Sequence, residues 1–537
     1  LDFKELAYRC KRLIMQASMS SEISVLGHQL HRIASENRRS RDFTLNSLTH
    51  VIREIIACFP VYRTYVNGAG VSERDTRYVE LAVARARLRN PATSALIFSF
   101  VRDTLLLKFP DNAGESARAA QRRFVGKFQQ VTGPVMAKAV EDTAFYVYNR
   151  LVSLNEVGGD PERFGITPGA FHQQNLERQA RWPLALLPTS THDTKRSEDV
   201  RARINVLSEL PLEWKSHLMR WSRCNKRHRR EIDGEQAPSR NDEYLLYQTL
   251  VGTWPLESPV GAPQRAQFIA RIQEYMVKAM HEAKVNSSWI SPNVGYEKAA
   301  CDFIASILAE SPRNLFLADF EPFARRIADL GLWNSLSQTL LKLTSPGVPD
   351  FYQGTELFDF SLVDPDNRRP VDYVRRRAML EALNEKIESA GGHLADLAAE
   401  LVERRTDSRI KLYLVAQMLN FRRENPGLFT TGHYIPLEPA GGKREHVCAF
   451  VRRSGEACVL VVVPRLVAGL TGGAALPLGQ EIWGDTCLML PEKFQRARFI
   501  NILTGETLDM SAEPASAGLA LAMILHTFPV AALLRVA

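Results

Sequence analysis

The sequence predicts an α/β protein. Strand–loop–helix units of the kind that build an α/β barrel are interrupted by large helical insertions and followed by a small antiparallel β-sandwich. Three observations carry this reading. Apolar residues recur at three- and four-residue spacing through the beginning and middle of the chain. Short apolar runs end in polar or Gly- and Pro-rich loops at three places, and barrel enzymes carry their site residues on loops of that kind. Roughly the last hundred residues switch to short β-rich runs separated by Gly, Pro and Ser.

Residues 1–130 read as a helical insertion. Ile23, Leu26, Leu30 and Ile33 form one apolar stripe and Leu48, Ile52, Ile55 and Phe59 another, with Pro60 stopping the second helix. A further helix is expected from about Glu80 to Phe109, and "FPDNAGES" then marks a turn. Residues 131–200 are expected to hold barrel strands and loops. "TGPVMAKAVEDTAFYVYNRL" (Thr132 to Leu151) suits a strand leading into a loop, and Trp182 to Leu187 is a second strand candidate. Residues 201–330 return to helix, most clearly in "NDEYLLYQTLVGTWP" and "AQFIARIQEYMVKAMHEAKV". Residues 331–425 are expected to supply a last barrel strand near Leu341 to Thr344, a loop and helices. Residues 426–537, with "HVCAFVRR", "ACVLVVVPRL" and "FPVAALLRV", form the expected sandwich.

The 537 residues are 45% hydrophobic and 24% charged, as in ordinary globular proteins, and too many for one core. Seven cysteines lack any C-x-x-C spacing, which argues against a disulfide framework or zinc site and for a reducing, cytoplasmic setting. No apolar run approaches the roughly 20 residues that span a bilayer, so no membrane partner is expected. A net charge of +8 and the cluster "RWSRCNKRHRR" raise nucleic-acid binding. The charge is small for this length and the cluster single, so a solvated helix face is expected and no nucleic-acid partner.

The chemistry gathers in loops. "STHDTKRSEDVR" (Ser190 to Arg201) places the pair His192–Asp193 behind the apolar run "WPLALLP". "KAVEDTAFYVY" and "PGVPDFYQGTELFDFSLVDPDNRR" likewise join carboxylates to aromatic or cationic residues. Carboxylates and Arg bind sugar hydroxyls in bidentate fashion and aromatic rings stack on pyranose faces, so the combination suits a sugar. No H-x-x-x-H, H-E-x-x-H or calcium-loop spacing appears, so neither metal nor cofactor is expected. Trp182, Trp221, Trp254 and Trp289 read as core residues before they read as sugar platforms, and Met276 and Met280 as packing.

"STHD" resembles the fourth signature segment of the α-amylase clan (glycoside hydrolase family 13), and "SPGVPDFYQGTE" the segment after its eighth barrel strand. Within that clan, "FPVYRTYV", "EDTAFYVYNRLVSLNEVGGDP", "RNDEYLLYQTLVGTWP", "NSSWISPNVGYE" and "FDFSLVDPDNRRPVDY" resemble the malto-oligosyltrehalose synthase family over most of the chain. The resemblance implies a retaining mechanism on maltooligosaccharides, with an Asp nucleophile, a Glu acid/base and a second, transition-state-stabilising Asp. By motif position Asp193 matches that stabiliser and His192 its hydroxyl-binding neighbour. Asp364 and Arg368 match a loop holding hydroxyls of the attacked glucose, and Tyr352 lies in a loop facing the barrel mouth. Lys195 and Arg196, just beyond Asp193 and Thr194, are expected to grip the transferred glucose. The product implied is an α,α-1,1-linked trehalosyl end, as in trehalose biosynthesis.

The clan's earlier signatures, those carrying the nucleophile and the acid/base, have no counterpart in this sequence. Arg240-Asn241-Asp242 and Arg405-Thr406-Asp407 have R-x-D spacing in polar surroundings unlike a strand end. Glu141 and Asp142 read as residues of the site wall or the scaffold. The resemblance therefore implies the C-terminal part of a (β/α)8 barrel enzyme, nearly inert alone, with the N-terminal barrel half expected on a longer chain. A glucan hydrolase and a non-catalytic glucan-binding fragment are the alternatives.

Overall fold

The computed structural model describes residues 2–36, 38–109, 113–256, 262–473, 476–491, 494, 497–510 and 518–536. The expected turn "FPDNAGES" lies partly outside these residues. The chain divides into two compact units, one made of Leu1–Arg150 with Ala279–Asn293 and the other of Leu151–Lys278 with Val294–Ala537.

The first unit is helical, as its periodicity predicts. Helices Phe3–Ala17, Ser20–Ser35, Leu45–Ala57, Glu73–Arg89, Ala95–Leu105 and Glu115–Met136 follow one another. Asp2, Thr44 and Ser72 cap three of them by accepting from the backbone N–H of Glu5, Ser47 and Asp75. Ile23, Leu26, Leu30, Leu48, Ile52 and Ile55 are all fully buried in one core, so the two apolar stripes face inward. The strand expected in Thr132–Leu151 is instead helix. Glu115–Met136 runs on into a π-helical segment, Ala137–Ala144, in which Thr143 donates its hydroxyl to the Lys138 carbonyl at 2.9 Å. Val140, Ala144 and Phe145 pack with Phe3 and Ile14. An apolar run enclosed on most sides reads alike as buried strand or buried helix, because neither leaves a polar face to set the period.

The second unit is built around the 30-residue helix Leu315–Thr344. Leu341 to Thr344, expected as a strand, form its last turn. The strand comes just after, at Val348–Pro349, and pairs in parallel with Leu186–Leu187. Gly347 joins them at φ +129°, where an added Cβ would come within 2.8 Å of the Ala185 carbonyl. Among the described residues this is the one parallel pair, so the barrel units expected from sequence reduce to two short strands. A hairpin of Arg230–Ile232 and Glu235–Ala237 stands apart.

The C-terminal region is antiparallel, with eight strands joined in one hydrogen-bonded order. Its order is Thr507–Asp509, Arg498–Asn501, Ala531–Val536, Ala457–Pro464, Val447–Ser454, His433–Ala440, Cys487–Met489, Leu519–Ala520. Strand His433–Ala440 gives its first half to Val447–Ser454 and its second half to Cys487–Met489. Cys458 to Val463 are buried at every position, so both faces of the sheet are covered. Arg452, 1% exposed, donates to the carbonyls of Thr344, Phe429 and Gly432 and fastens the sheet to the end of the long helix.

Candidate active site

The loop after Leu186–Leu187 is shaped by its hydroxyls. The Thr194 hydroxyl accepts from the Thr191 N–H at 2.7 Å and the Thr191 hydroxyl from the Asp193 N–H at 3.3 Å, so the chain folds tightly. His192 and Asp193 are left at the tip, their side chains 66% and 61% exposed and 3.3 Å apart. Glu156 holds the loop's exit. Its carboxylate accepts from the N–H groups of Lys195 (2.7 Å) and Arg196 (3.1 Å) and pairs with Arg201 at 3.4 Å.

Helix Glu198–Val206 follows, with Ser197 at its N-cap. Neither Ser197 nor Thr194 caps it by side chain. The Ser197 hydroxyl donates to the Asp359 carbonyl, while Ser190 Oγ accepts from the Glu198 N–H at 2.9 Å. The two acids of the helix's first turn are inside the protein. Glu198 and Asp199 are 0% and 1% exposed and share Lys411, whose Nζ lies 2.8 and 2.9 Å from their oxygens. Lys342 adds a pair to Glu198 at 3.4 Å. Burial alone would push Glu198 up, but Lys411 and Lys342 overcome it and hold the carboxyl at about 2. Burial, with the Glu198 charge beside it, pushes Asp199 upward despite Lys411.

The second loop meets the first directly. Asn367 donates to the His192 carbonyl at 3.1 Å, Ser197 N–H to the Ser361 carbonyl at 2.9 Å, and Arg196 bridges to Leu362. Asp366 anchors this loop by taking both its oxygens to Arg271, each at 3.0 Å, and accepting the Leu362 N–H at 2.7 Å. Asp364 accepts from Lys278 at 2.8 Å. Burial opposes its ionisation, yet the Lys278 hydrogen bond, with Arg368 and Lys195 nearby, holds its carboxyl below the usual range.

The structure therefore brings His192, Asp193, Lys195, Asp364 and Arg368 onto two loops that are tied together. Arg368 is exposed, Tyr352 half-buried in a turn whose carbonyl accepts from the Thr355 N–H, and Arg196 fully buried with its guanidinium on the Tyr275 hydroxyl at 2.8 Å. Glu141 and Asp142 belong to the helical unit. Glu141 is buried and accepts from the Tyr62 hydroxyl, and Asp142 pairs with Lys138 at 3.5 Å. Of the two R-x-D segments, Asp242 accepts from the Ser239 and Tyr296 hydroxyls, and Asp407 from the backbone N–H and the Nε of Arg409. Trp221 and Trp254 are core, whereas Trp182 and Trp289 are exposed.

Glu156, Arg271, Lys278, Lys342 and Lys411 were not found from sequence. Lys342 in "LLKLT" and Lys411 in "RIKLYLV" carried a signal, since a lone lysine in an apolar helical stretch needs a buried counterion. Among the described residues no group of His, Cys, Asp and Glu could hold a metal ion. No described helix is long and apolar enough to cross a membrane.

No family model matches the chain. Proteins from two strains of Mycobacterium tuberculosis, provisionally named maltooligosyl trehalose synthase, are 38% identical to it over 381 residues. The solved maltooligosyltrehalose synthase of Arthrobacter ramosus aligns over 100% of the chain with a TM-score of 0.74 and 30% identity. The chain belongs to the maltooligosyltrehalose synthase family. A hypothetical maltooligosyl trehalose synthase of Sulfolobus tokodaii also aligns, over 99% of the chain at a TM-score of 0.65 and 26% identity. The match with the M. tuberculosis synthases covers 71% of this chain but 42% of their length, and the A. ramosus synthase is covered over 59%. That partial span is what the reading as a portion of such a synthase expects.

Proposed function

We propose that the chain takes part in intramolecular transglucosylation, turning the reducing-end α-1,4 linkage of maltooligosaccharides into an α,α-1,1 linkage for trehalose biosynthesis. The observation that carries this is the exposed His192–Asp193 tip, held on a fixed loop and tied through Asn367 to the loop of Asp364 and Arg368. In a retaining, α-amylase-type reaction, Asp193 would strengthen its hydrogen bonds to a distorted glucose as positive charge develops on the ring. His192 would bind a neighbouring hydroxyl. Asp364, kept ionised by Lys278, and Arg368 offer an acceptor and a donor to further hydroxyls. The nucleophile and acid/base come, on this reading, from a barrel half outside these 537 residues. The seven free cysteines fit a reducing, cytoplasmic setting.

Two other readings each have an observation in their favour. A chain spanning 42% of its relatives suits a glucan-binding part without chemistry of its own. A site tip as open to solvent as this one suits a hydrolase, since water reaches it freely. Incubation with maltopentaose separates the three. A nonreducing isomer formed by a longer protein that includes this chain supports the synthase, free sugars the hydrolase, and binding without turnover in both proteins the binding part. In the active protein, Asp193→Asn is expected to lower kcat by about 100-fold or more with little change in Tm, because the side chain is exposed. Lys195→Ala should raise hydrolysis relative to isomerisation, and an unchanged product ratio would remove Lys195 from the grip on glucose.

A further inference from the structure

Three buried cations lie behind the two site loops, and each meets a different phenylalanine of the second loop. Lys342 Nζ is 3.7 Å from the centre of the Phe351 ring, the Arg203 guanidinium carbon 3.6 Å from that of Phe360, and Lys411 Nζ 5.7 Å from that of Phe358. All three distances fall within cation–π range. The cations are 5%, 0% and 0% exposed. Arg203 donates one nitrogen to the Gly252 and Trp254 carbonyls, and its Nε and other terminal nitrogen find no hydrogen-bond acceptor among the described residues. The Phe360 face thus replaces hydrogen bonds that this guanidinium lacks.

Two of these cations, Lys342 and Lys411, also hold the first loop and the start of the helix that follows it. Lys342 donates to the Thr189 hydroxyl at 2.8 Å, two residues after the Leu186–Leu187 strand. Lys411 pairs with Glu198 and Asp199 and donates to the Leu357 carbonyl at 3.3 Å. Asp199 in turn accepts the Asp359 N–H at 2.7 Å. Carboxyls of Glu198, Asp199 and Asp359 lie near Lys342, Lys411 and Arg203; burial pushes Asp199 and Asp359 upward, while the two lysines hold Glu198 below the usual range.

We infer that Lys342, Lys411 and Arg203, with Phe351, Phe358 and Phe360, form a clamp of positioning residues that sets the His192–Asp193 tip against Asp364 and Arg368. The clamp rests on the proposed function only for what the two loops bind. Its ion pairs fix the first loop and its ring contacts the second, so neither loop shifts without breaking a buried contact. Hydrophobic packing would fill the same space, but it would not pair a cation with each of three rings along one loop.

Hydrogen exchange read by mass spectrometry on the whole chain tests this. Phe358→Leu and Phe360→Leu keep an apolar side chain and remove the ring; exchange of the amides of 188–197 and 357–366 should rise about tenfold, with the helix Ser20–Ser35 unchanged. Phe358→Tyr and Phe360→Tyr keep the ring and should stay at the wild-type rate. Unchanged exchange in both Leu variants, or equal loosening by Leu and Tyr, would overturn the clamp. Lys411→Met should loosen both loops; should that protein fail to fold, the ring variants decide. Titration with maltopentaose stands apart from this readout. A wild-type chain that does not bind the sugar counts against the proposed function, while the exchange data still decide the clamp.

Discussion

Lys411 and Glu198 show at the residue scale why part of this site could be read from sequence and part could not. His192, Asp193 and Arg368 sit in polar loops and are exposed, so their place at the surface could be read from their local sequence. Glu198 lies five residues beyond Asp193 in the same polar segment, yet it is closed inside the protein because its partners come from two distant helices. Nothing local marks that difference. Glu198 also sets an acid limit on stability. Its folded carboxyl, at about 2 against an ordinary 4.5, stays ionised where the unfolded chain would take up a proton. The stabilisation is present above the ordinary carboxylate range and is lost as the pH falls through the folded value. Urea unfolding of wild type and Glu198→Gln should differ most at neutral pH and converge in acid. A gap that does not change with pH would count against Glu198 as the charged member.

Among the elements, the motif helix Glu198–Val206 is packed through glycines on two sides. A Cβ on Gly331 of the long helix would lie 2.5 Å from Arg203 Cγ and 2.9 Å from its Cα. One on Gly252 of helix Arg240–Thr253 would lie 2.7 Å from Val200 Cγ1 and 3.0 Å from Ile204 Cδ1. Both substitutions to Ala overpack the interface, at a cost of about 1–3 kcal/mol. Gly331→Ala should cost more, since it meets backbone as well as side chain, and thermal unfolding of the two variants checks the order. Helices were the most legible elements because one buried stripe against a polar face sets the period, as in Ser20–Ser35 and Leu45–Ala57. The misread ones are those without a polar face. Leu341 to Thr344 continue a helix buried on nearly all sides, and the strand beyond them is two residues long, too short for any alternation to show. Short β-rich runs were plain in the C-terminal region, but a run buried on both faces, such as Cys458 to Val463, has no alternation to say how the strands are arranged.

At the scale of the whole molecule, each unit has its own core. Lys11 marks the helical one. It is 5% exposed, gives its ammonium to the Phe59 carbonyl at 2.7 Å, and burial drags it down to about 8. Between about pH 8 and 10.5 the unfolded chain holds a proton that folded Lys11 has shed, so Lys11 adds to stability as the pH rises. Cys10 and Cys58 of the same unit, pushed up by burial to about 11, act the other way above about pH 9. The difference in urea stability between wild type and Lys11→Met should therefore move in favour of wild type across the window; a difference that does not change with pH would count against Lys11 as the titrating group. The ion pairs behind the site also impose a timetable on synthesis. Glu198 and Lys411 are 213 residues apart, and at about 5–20 residues per second a ribosome needs roughly 10 to 40 s to travel that far. For that interval Asp199 lacks Lys411 and Glu198 has at most Lys342, itself 144 residues on, and burying acids short of their counterions is costly. The nascent chain must therefore carry its site segment open to solvent, within reach of chaperones and proteases, long after the first helices have left the exit tunnel.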